Sequence, residues 1–236
     1  MPSVNVYRVK EMFYSLQGEG AQSGRASLFC RFSKCNLWTG REQDRADAVC
    51  NFCDTDFVGT DGQNGGTFDT PQALANAIKV LWDAGIEAAG GTTTTADSNK
   101  TKPYVIFTGG EPLLQLNEVL VDEMHLLGFE VGVETNGTRP APKGIDWLCV
   151  SPKADAEVVL MQCNEIKLVF PQPLAKPERF EHIKAQHYFL SPMADPLIIA
   201  GRDEKKATNM RLATDYCLAH PQWRLTLQMH KILGID

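Results

Sequence analysis

Residues 104–112 read YVIFTGGEP, and this stretch carries the pattern that decides the fold. Its apolar part, Tyr104–Phe107, predicts a buried strand, and the two glycines and the proline that follow indicate a turn. A helical pattern comes next over Asn117–Leu127, and Gly128 lies just beyond its end. Because a strand, a helix and a further strand in this order imply a parallel crossover, the segment predicts an α/β fold.

The same alternation of strands and helices extends in both directions along the chain. We predict strands at Val4–Phe13, Ala26–Phe32, Tyr104–Phe107, Glu130–Val133, Trp147–Val150, Glu165–Phe170, His187–Leu190 and Arg224–Met229. We predict helices at Pro71–Ala84, Asn117–Leu127, Pro177–Gln186 and Asp203–His220. Residues 60–68 and 88–102 are polar and rich in glycine and threonine, so we expect loops there, the second a flexible insertion. The length of the chain favours one domain over residues 1–236.

Polar or glycine-rich residues follow six of these strands. In a parallel α/β barrel the carboxyl ends of the strands lie on one face, where such folds build their active sites. The six segments are Gln17–Gly20, Ser33–Cys35, Thr108–Pro112, Glu134–Gly137, Ser151–Lys153 and Gln228–Lys231. A single polar turn is ordinary, but six at corresponding positions predict a functional site on that face.

The composition excludes several classes of protein. Hydrophobic residues make up 43% and charged residues 22% of the 236, as in an ordinary globular protein with a full core. The net charge of -6 argues against broad binding to a phosphate backbone, so no nucleic-acid partner is expected. No apolar run is long enough to span a membrane, and Arg8, Lys10 and Glu11 interrupt the first apolar stretch. We therefore expect a cytoplasmic protein with no membrane partner.

The unusual feature of this composition is its seven cysteines. An odd number excludes complete disulfide pairing, and closely spaced cysteines in a cytoplasmic protein favour metal binding or chemistry. Cys35, Cys50 and Cys53 form a C-x14-C-x2-C pattern, and three thiolates suit a [4Fe–4S] cluster with one iron left open for a ligand. With Cys30 included, four thiolates would suit a closed zinc site or an iron–sulfur cluster.

Strand parity favours the set of three cysteines. Neighbouring residues of a strand point to opposite faces, so only one of Cys30 and Arg31 can face the site. An unpaired buried charge is costly, so we expect Arg31 to face the pocket and Cys30 to pack against the helices. Cys149, Cys163 and Cys217 have no close cysteine partner and are interpreted as structural.

The three cysteines, together with Gly-Gly-Glu-Pro after a later strand, resemble the radical S-adenosylmethionine (SAM) superfamily. Within it, the chain is similar to the 7-carboxy-7-deazaguanine synthase family over residues 11–236. The motifs that carry this second resemblance are Leu16–Gly20, Arg31, Cys53–Thr55, Glu134–Thr138, Ser151–Lys153 and Gln228–Lys231. The superfamily commonly has C-x3-C-x2-C, whereas this chain has fourteen residues in the first gap, a long spacing known in some members of the family.

The resemblance implies an incomplete or modified (β/α) barrel of the radical SAM type. It implies a lyase of queuosine biosynthesis that converts 6-carboxy-5,6,7,8-tetrahydropterin into 7-carboxy-7-deazaguanine with loss of ammonia. A 5′-deoxyadenosyl radical derived from SAM would remove a hydrogen atom from C6 of the substrate, and SAM would be regenerated. The implied cofactors are a [4Fe–4S] cluster, SAM and Mg²⁺, and the implied partners are a low-potential electron donor and a second copy in a homodimer.

The resemblance also implies roles for individual residues. Cys35, Cys50 and Cys53 would bind the cluster, and Thr55 would bind the magnesium ion. Contacts with SAM are expected from Phe52, Asp54, Gly110, Glu111, Glu134, Asn136, Ser151, Pro152, Lys153 and Ser191. Contacts with the pterin are expected from Leu16, Gln17, Gly18, Glu19, Arg31, Thr108, His230 and Asp236. The segment Ser191–Met193 stands where the family usually has Gln-Pro, a change that a backbone contact with SAM would survive.

Two alternatives stay open at this point. Another radical SAM enzyme, such as a glycyl-radical activase, would share the cysteines but gives no reason for Gln17–Gly20 and Arg31. A zinc-binding module would do no radical chemistry. Its four ligands would be Cys30, Cys35, Cys50 and Cys53. Product formation and metal content therefore separate the three hypotheses.

Overall fold

The computed structural model describes residues 6–92, 102–195 and 203–235. The strands are β1 (Tyr7–Leu16), β2 (Ala26–Phe32), β3 (Gly66–Phe68), β4 (Tyr104–Gly109), β5 (Glu130–Thr135), β6 (Trp147–Val150), β7 (Glu165–Phe170), β8 (His187–Pro192) and β9 (Trp223–Leu225). The α-helices are α1 (Pro71–Ala88), α2 (Glu118–Leu126), α3 (Glu204–Ala219) and α4 (Met229–Leu233). Shorter 3-10 helices lie at Glu42–Asp47, Pro112–Leu114 and Pro177–Phe180.

The nine strands form one sheet in the order β3–β1–β2–β4–β5–β6–β7–β8–β9. Every neighbouring pair from β2 across to β9 is parallel, whereas β1 is antiparallel to both β2 and β3. The connection from β1 to β2 spans only residues 17–25, too short for the crossover that a parallel pair needs. Within the described residues the end strands β3 and β9 do not pair with each other, so the sheet is an open barrel. The predicted α/β fold with an incomplete barrel is confirmed.

Two apolar clusters cover the helix side of the sheet. In the first cluster, Leu28 and Cys30 of β2 are buried together with Leu74 of α1. In the second, Ile166 of β7 is buried together with Ala213 of α3. Because strand residues alternate between faces, the residues that lie between these apolar positions face the inside of the barrel. Several of those inward-facing residues are charged, and they form the candidate site.

The first helix is longer than the sequence predicts. α1 begins at Pro71 as expected but continues to Ala88 rather than ending at Ala84. Gly85 therefore lies inside the helix and does not end it. A side chain at Gly85 would collide with the Tyr14 ring of β1, so the glycine allows the helix to pack closely on the sheet.

The helix predicted at Pro177–Gln186 is wrong. Only a 3-10 helix forms at its start, over Pro177–Phe180. Lys184 N then donates a hydrogen bond to Met161 O at 3.0 Å, and Cys163 N donates to Lys184 O at 3.0 Å. The backbone of the segment is thus paired with the extended chain before β7, and this pairing replaces the bonds of a continuing helix.

The predicted strand Arg224–Met229 is also wrong in its second half. β9 ends at Leu225, and α4 begins at Met229. Met229 N donates to Gly18 O at 3.0 Å, which ties the C-terminal segment to the loop after β1. This contact between distant parts of the chain draws the segment away from the sheet.

Strand pairing also alters the N-terminal predictions. β1 continues beyond the predicted end at Phe13, because Leu16 pairs with Ala26 of β2. Gly66–Phe68, expected in a loop, forms β3 by pairing with Tyr7–Val9.

Parts of the predicted elements lie outside the described residues. These parts are Val4 and Asn5, in the first predicted strand, and residues 93–101 of the expected insertion 88–102. The expectation of a single domain stays a prediction. Within the described chain, none of the helices has both the length and the apolar character needed to cross a membrane.

Candidate active site

The loop between β2 and β3 carries three cysteines that line one cavity beside the carboxyl ends of β2 and β4. These are Cys35, Cys50 and Cys53, and Phe52 lines the same cavity. Cys30 instead lies fully buried in the apolar cluster that joins β2 to α1. Strand parity therefore predicts the orientation of Cys30 correctly, because the neighbouring Arg31 lines a cavity on the opposite face of the strand.

The spacing of the thiols argues against a single zinc ion. Two sulfurs that each bind one zinc ion at about 2.3 Å lie at most about 4.6 Å apart. Within the described ranges, the cysteines of this loop form no group of three ligand atoms within 4.8 Å of one another. Three thiolates leave one position of a tetrahedral zinc site unfilled, whereas they can hold a [4Fe–4S] cluster whose fourth iron is open to another ligand. The donor set fits such a cluster.

The long segment between Cys35 and Cys50 contains Arg45, which forms a hydrogen bond with the backbone of the third cysteine, Cys53. The 3-10 helix Glu42–Asp47 lies in this gap and carries Arg45, whose guanidinium donates to Asn51 O at 3.0 Å and to Cys53 O at 2.9 Å. The same guanidinium lies 4.3 Å from the centre of the Trp38 ring, a cation–π contact. The extra residues of the gap thus fasten the loop around the thiols.

Burial and mutual hydrogen bonding control the protonation of the three thiols. Burial raises the pKa of Cys35. A hydrogen bond between Cys50 and Cys53 raises the pKa of Cys50 and lowers the pKa of Cys53. The nearby positive charge of Lys153 acts to lower the pKa of both thiols, although the pKa of Cys50 stays raised overall. Since metals bind the thiolate form, Lys153 favours metal binding by the loop.

Two glycines let the end of β4 approach the cysteine loop. A side chain at Gly109, where φ is 142°, would collide with the backbone of Phe32. A side chain at Gly110 would collide with the backbone of Lys34 and crowd Cys35. The bare backbone of both glycines therefore lines the cavity, where a ligand can approach it closely. The polar side chains that line the same cavity include Asn136, Ser151, Lys153 and Ser191.

Two residues predicted to contact SAM, Glu111 and Pro152, are buried outside the lining of this cavity. The Glu111 carboxylate accepts hydrogen bonds from Thr135 Oγ1 at 2.7 Å, Asn136 N at 2.8 Å and Leu113 N at 2.9 Å. This carboxylate joins the end of β4 to the end of β5. Its backbone N donates to Lys34 O at 2.9 Å, so Glu111 also ties the end of β4 to the cysteine loop.

A second cavity adjoins the first, and seven of the eight residues predicted to bind the pterin line it. They are Leu16, Gln17, Gly18, Glu19, Arg31, Thr108 and His230. Asp236, the eighth, lies outside the described residues. Thr55, Thr108 and Glu134 line both cavities, so the two spaces lie side by side.

The loop of residues 17–25 reaches the second cavity by a route that the sequence analysis does not predict. Because β1 is antiparallel to β2, this loop leaves the sheet at the amino ends of the parallel strands. Ala21 N donates to the carboxylate of Glu165, the first residue of β7, at 2.8 Å. The expectation that Gln17–Gly20 lies at the same edge as the other polar strand ends is wrong. The loop turns into the barrel instead and places Glu19 inside it.

Lys167 lines both cavities, although no motif in the sequence singled it out. Its Nζ lies 2.9 Å from Glu19 Oε2 and 3.0 Å from Glu134 Oε2, and the three side chains are 10%, 16% and 17% exposed. Burial raises the pKa of Glu19, but the charge and hydrogen bond of Lys167, the hydrogen bond from Ser191 and the charge of His230 together outweigh it, and the pKa is lowered overall. Burial lowers the pKa of Lys167, but the two carboxylates raise it well above its usual value. The sequence does contain a signal for this ion pair, because Lys167 lies inside the apolar run EIKLVF and a buried charge needs a partner.

The C-terminal segment closes one side of the second cavity. Lys231 Nζ lies 2.5 Å from Asp54 Oδ2, and Gln228 Nε2 donates to the same oxygen at 3.4 Å. A side chain at Gly18 would collide with the His230 ring, so this ring lies directly on the loop after β1. Burial lowers the pKa of His230, which favours a neutral ring near pH 7.

The fold and the site together define a class of enzyme. An open barrel of parallel strands has three thiols in the loop after its first parallel strand and Gly-Gly-Glu-Pro after the next. This is the architecture of a radical SAM enzyme, and the structural comparison agrees. The crystal structure of QueE from Escherichia coli matches 95% of this chain and 95% of its own, with a TM-score of 0.60 and 24% identity. That match supports the fold alone.

The sequence comparisons identify the family within this class. The chain is 54% identical to a 7-carboxy-7-deazaguanine synthase from Bordetella pertussis and 53% identical to one from Bradyrhizobium diazoefficiens. Each match spans 229 residues, which are 97% of this chain and 99% of the relative. No protein-family profile matches the chain. The chain belongs to the 7-carboxy-7-deazaguanine synthase family, and the resemblance seen in its motifs is confirmed.

Proposed function

We propose that the chain converts 6-carboxy-5,6,7,8-tetrahydropterin into 7-carboxy-7-deazaguanine, with release of ammonia, as a radical SAM lyase. The observation that carries this proposal is that the two cavities adjoin and share lining residues. One cavity contains the three thiols, and the other is lined by the residues expected to bind the pterin. Thr55, Thr108 and Glu134 line both. A substrate in the second cavity would therefore lie next to a cofactor in the first.

The residues of the first cavity fit the cofactors that the family uses. Cys35, Cys50 and Cys53 would hold three irons of a [4Fe–4S] cluster, and the bare backbone of Gly109–Gly110 would approach SAM closely. When bound, these groups supply the 5′-deoxyadenosyl radical that removes a hydrogen atom from the substrate. Phe52 lines the cavity beside the cysteines, where it would pack against SAM and exclude water.

The residues of the second cavity complement the pterin. Arg31 donates through Nε to Glu11 at 2.7 Å, which orients its guanidinium on the cavity wall to pair with the substrate carboxylate. Glu19 would accept hydrogen bonds from the amino and ring N–H groups of the pterin. Thr55 would bind Mg²⁺ together with a substrate oxygen, since magnesium usually keeps several waters and borrows substrate ligands.

The proposal also covers the partners of the protein, its cellular location and its domain organisation. All seven cysteines are free thiols, as a reducing compartment would keep them, and this supports a cytoplasmic location. The family resemblance supports a homodimer and a low-potential electron donor that reduces the cluster. The single sheet formed by all nine strands supports one domain over residues 1–236.

Anaerobic reconstitution tests the proposal. Purified protein loaded with iron and sulfide receives 6-carboxytetrahydropterin, SAM, Mg²⁺ and a chemical reductant. We expect 7-carboxy-7-deazaguanine and ammonia as products, identified by mass spectrometry and an ammonia assay. Absence of a deazapurine product from protein with an intact cluster would overturn the proposal. Zinc without iron or sulfide in the anaerobically purified protein would point to the zinc-binding module.

Two matched cysteine variants test the assignment of the cluster. Cys50→Ser is expected to lose both iron and product formation, because this thiol lines the first cavity. Cys30→Ser is expected to keep both, because this thiol lies in the apolar cluster beside α1. Equal loss of iron in the two variants would contradict the three-cysteine assignment.

A further inference from the structure

Lys167 lies inside the barrel between two carboxylates that come from separate parts of the chain. Glu19 belongs to the loop after β1, and Glu134 lies near the end of β5. Each carboxylate places one oxygen about equally far from Lys167 Nζ, at 2.9 Å and 3.0 Å. Among the described residues, no other cation lies within 4.0 Å of either carboxylate. Lys167 is thus the charge that these two groups share.

The second oxygen of each carboxylate has a neutral partner. Ser191 Oγ donates to Glu19 Oε1 at 3.0 Å, and Gln17 Nε2 donates to Glu134 Oε1 at 3.1 Å. Every oxygen therefore accepts from at least one protein donor, and the Cys149 thiol forms a further hydrogen bond with Glu134. Both carboxylates line both cavities. They present two hydrogen-bond acceptors at a spacing that Lys167 sets.

The surroundings make ionisation of Glu19 depend on Lys167. The titratable groups that face Lys167 are Glu19, Glu134, Cys149 and Glu165, and His230 and Tyr104 face the two bridged carboxylates. Burial and the negative charge of Glu134 raise the pKa of Glu165. Burial alone would drive Glu19 in the same direction. Without the lysine, two buried like charges would remain together, and at least one would bind a proton.

We propose that Lys167 is a positioning residue for the substrate: by bridging Glu19 and Glu134 it holds both as ionised acceptors for the N–H groups of the pterin. This rests on the proposed function for the identity of the ligand. A protonated carboxyl group would offer a donor where the pterin presents its own donors, so binding would weaken. The role is distinct from general support of the fold, because it depends on the charge of the two carboxylates and therefore on pH.

The test measures binding of 6-carboxypterin, a stable oxidised form of the proposed substrate, to the cluster-loaded protein across a pH series. Lys167→Met is expected to raise the dissociation constant roughly tenfold or more near neutral pH, because charge-assisted hydrogen bonds are lost. Raising the pH is expected to restore part of the affinity as Glu19 ionises again. Lys79→Met is the matched control, since Lys79 pairs with Asp83 on α1, and it should bind like the parent protein.

Each outcome decides the proposal. Affinity like that of the parent protein in a folded Lys167→Met variant with full iron content would overturn it. A weakened affinity that does not change with pH would also overturn it, because the role would then be structural. If Lys167→Met does not fold, Lys167→Arg is the deciding variant, because it keeps the positive charge. Its affinity for 6-carboxypterin should begin to fall at the same pH as that of the parent protein when the solution is acidified. A fall that begins at higher pH would contradict the proposal.

The outcome is separable from that of the proposed function. Failure of the parent protein to form 7-carboxy-7-deazaguanine would overturn the proposed function, whatever the variants bind. Normal product formation by the parent protein, together with unchanged 6-carboxypterin binding by Lys167→Met, would overturn only the role of Lys167.

Discussion

Two lysines of the sheet each bridge two carboxylates, and they differ in what surrounds the bridge. Lys10 of β1 lies 3.0 Å from Asp56 and 2.9 Å from Asp61, at the edge of the cysteine loop. Those aspartate side chains are 71% and 83% exposed. Water screens such pairs and already solvates the carboxylates, so the bridge fastens a loop and contributes little more.

The bridge at Lys167 has nearly the same distances but lies inside the barrel. Its two carboxylates, Glu19 and Glu134, are only 16% and 17% exposed. Removal of one member of such a buried group leaves a charge without a partner and without water. Burial of the carboxylates, more than the distances within the ion pair, therefore decides how much the protein loses when the lysine is removed.

The largest effect is expected from Lys167→Met. The free energy of unfolding should fall by about 3–5 kcal/mol, the usual cost of breaking a buried ion pair by removing one partner. Urea denaturation of the metal-free protein measures it, with Lys79→Met as the exposed-pair control. A loss in Lys167→Met no greater than in the control would remove the distinction between buried and exposed bridges.

The next largest effect is expected from Glu19, whose contribution to the free energy of unfolding depends on pH. Its pKa in the folded protein is lowered, so its contribution to stability is complete above the unfolded value of about 4.3 and is lost as the pH falls through the folded value. Glu19→Gln should therefore be less stable than the parent protein by about 1.5–3 kcal/mol near pH 7. The difference should shrink below pH 4.3 or so. A difference that stays constant down to pH 3 would contradict the ionised pair.

A smaller effect is expected from Arg45, which fastens the same loop as Lys10 but is only 17% exposed. Arg45→Met removes the bonds to the carbonyls of Asn51 and Cys53 and the contact with Trp38. Iron loss to a chelator should become roughly tenfold faster, which corresponds to about 1.4 kcal/mol. An unchanged rate would show that the cysteines alone order the loop.

The smallest effect is expected from Asp61→Asn. Asp61 is the more exposed partner of Lys10, and Asp56 still pairs with that lysine in the variant. We expect no measurable change in urea denaturation or in iron content. A clear loss of iron would show that the exposed bridge controls the cysteine loop, and the contrast with Lys167 would then be weaker than proposed.

Local patterns predicted the features of this fold that depend on local structure. The alternation of residues along β2 predicted that Cys30 packs under α1 while Arg31 faces the site, and the structure confirms both orientations. Apolar runs located the central strands, because a buried strand needs such a run whatever its partners are. The motifs also brought together residues from distant parts of the chain, such as Gln17 and His230, which line one cavity.

Features that depend on pairing between distant segments could not be predicted in this way. Lys184 pairs with Met161 and ends a helix that composition alone favours. The direction of β1 depends on its partner strand, although the short connection of residues 17–25 was a usable signal. The role of Lys167 could not be predicted, because it depends on ion pairs with Glu19 and Glu134, which belong to other elements of the fold and which no local pattern reveals.

The three thiols would hold a [4Fe–4S] cluster with one iron left open for SAM, next to the cavity lined by the residues expected to bind the pterin. The electron paramagnetic resonance spectrum of the anaerobically reconstituted and reduced protein, recorded with and without SAM, tests this assignment. We predict a [4Fe–4S] signal that changes when SAM is added and that is lost in Cys50→Ser but kept in Cys30→Ser. A signal indifferent to SAM, or one that requires Cys30, would contradict the assignment.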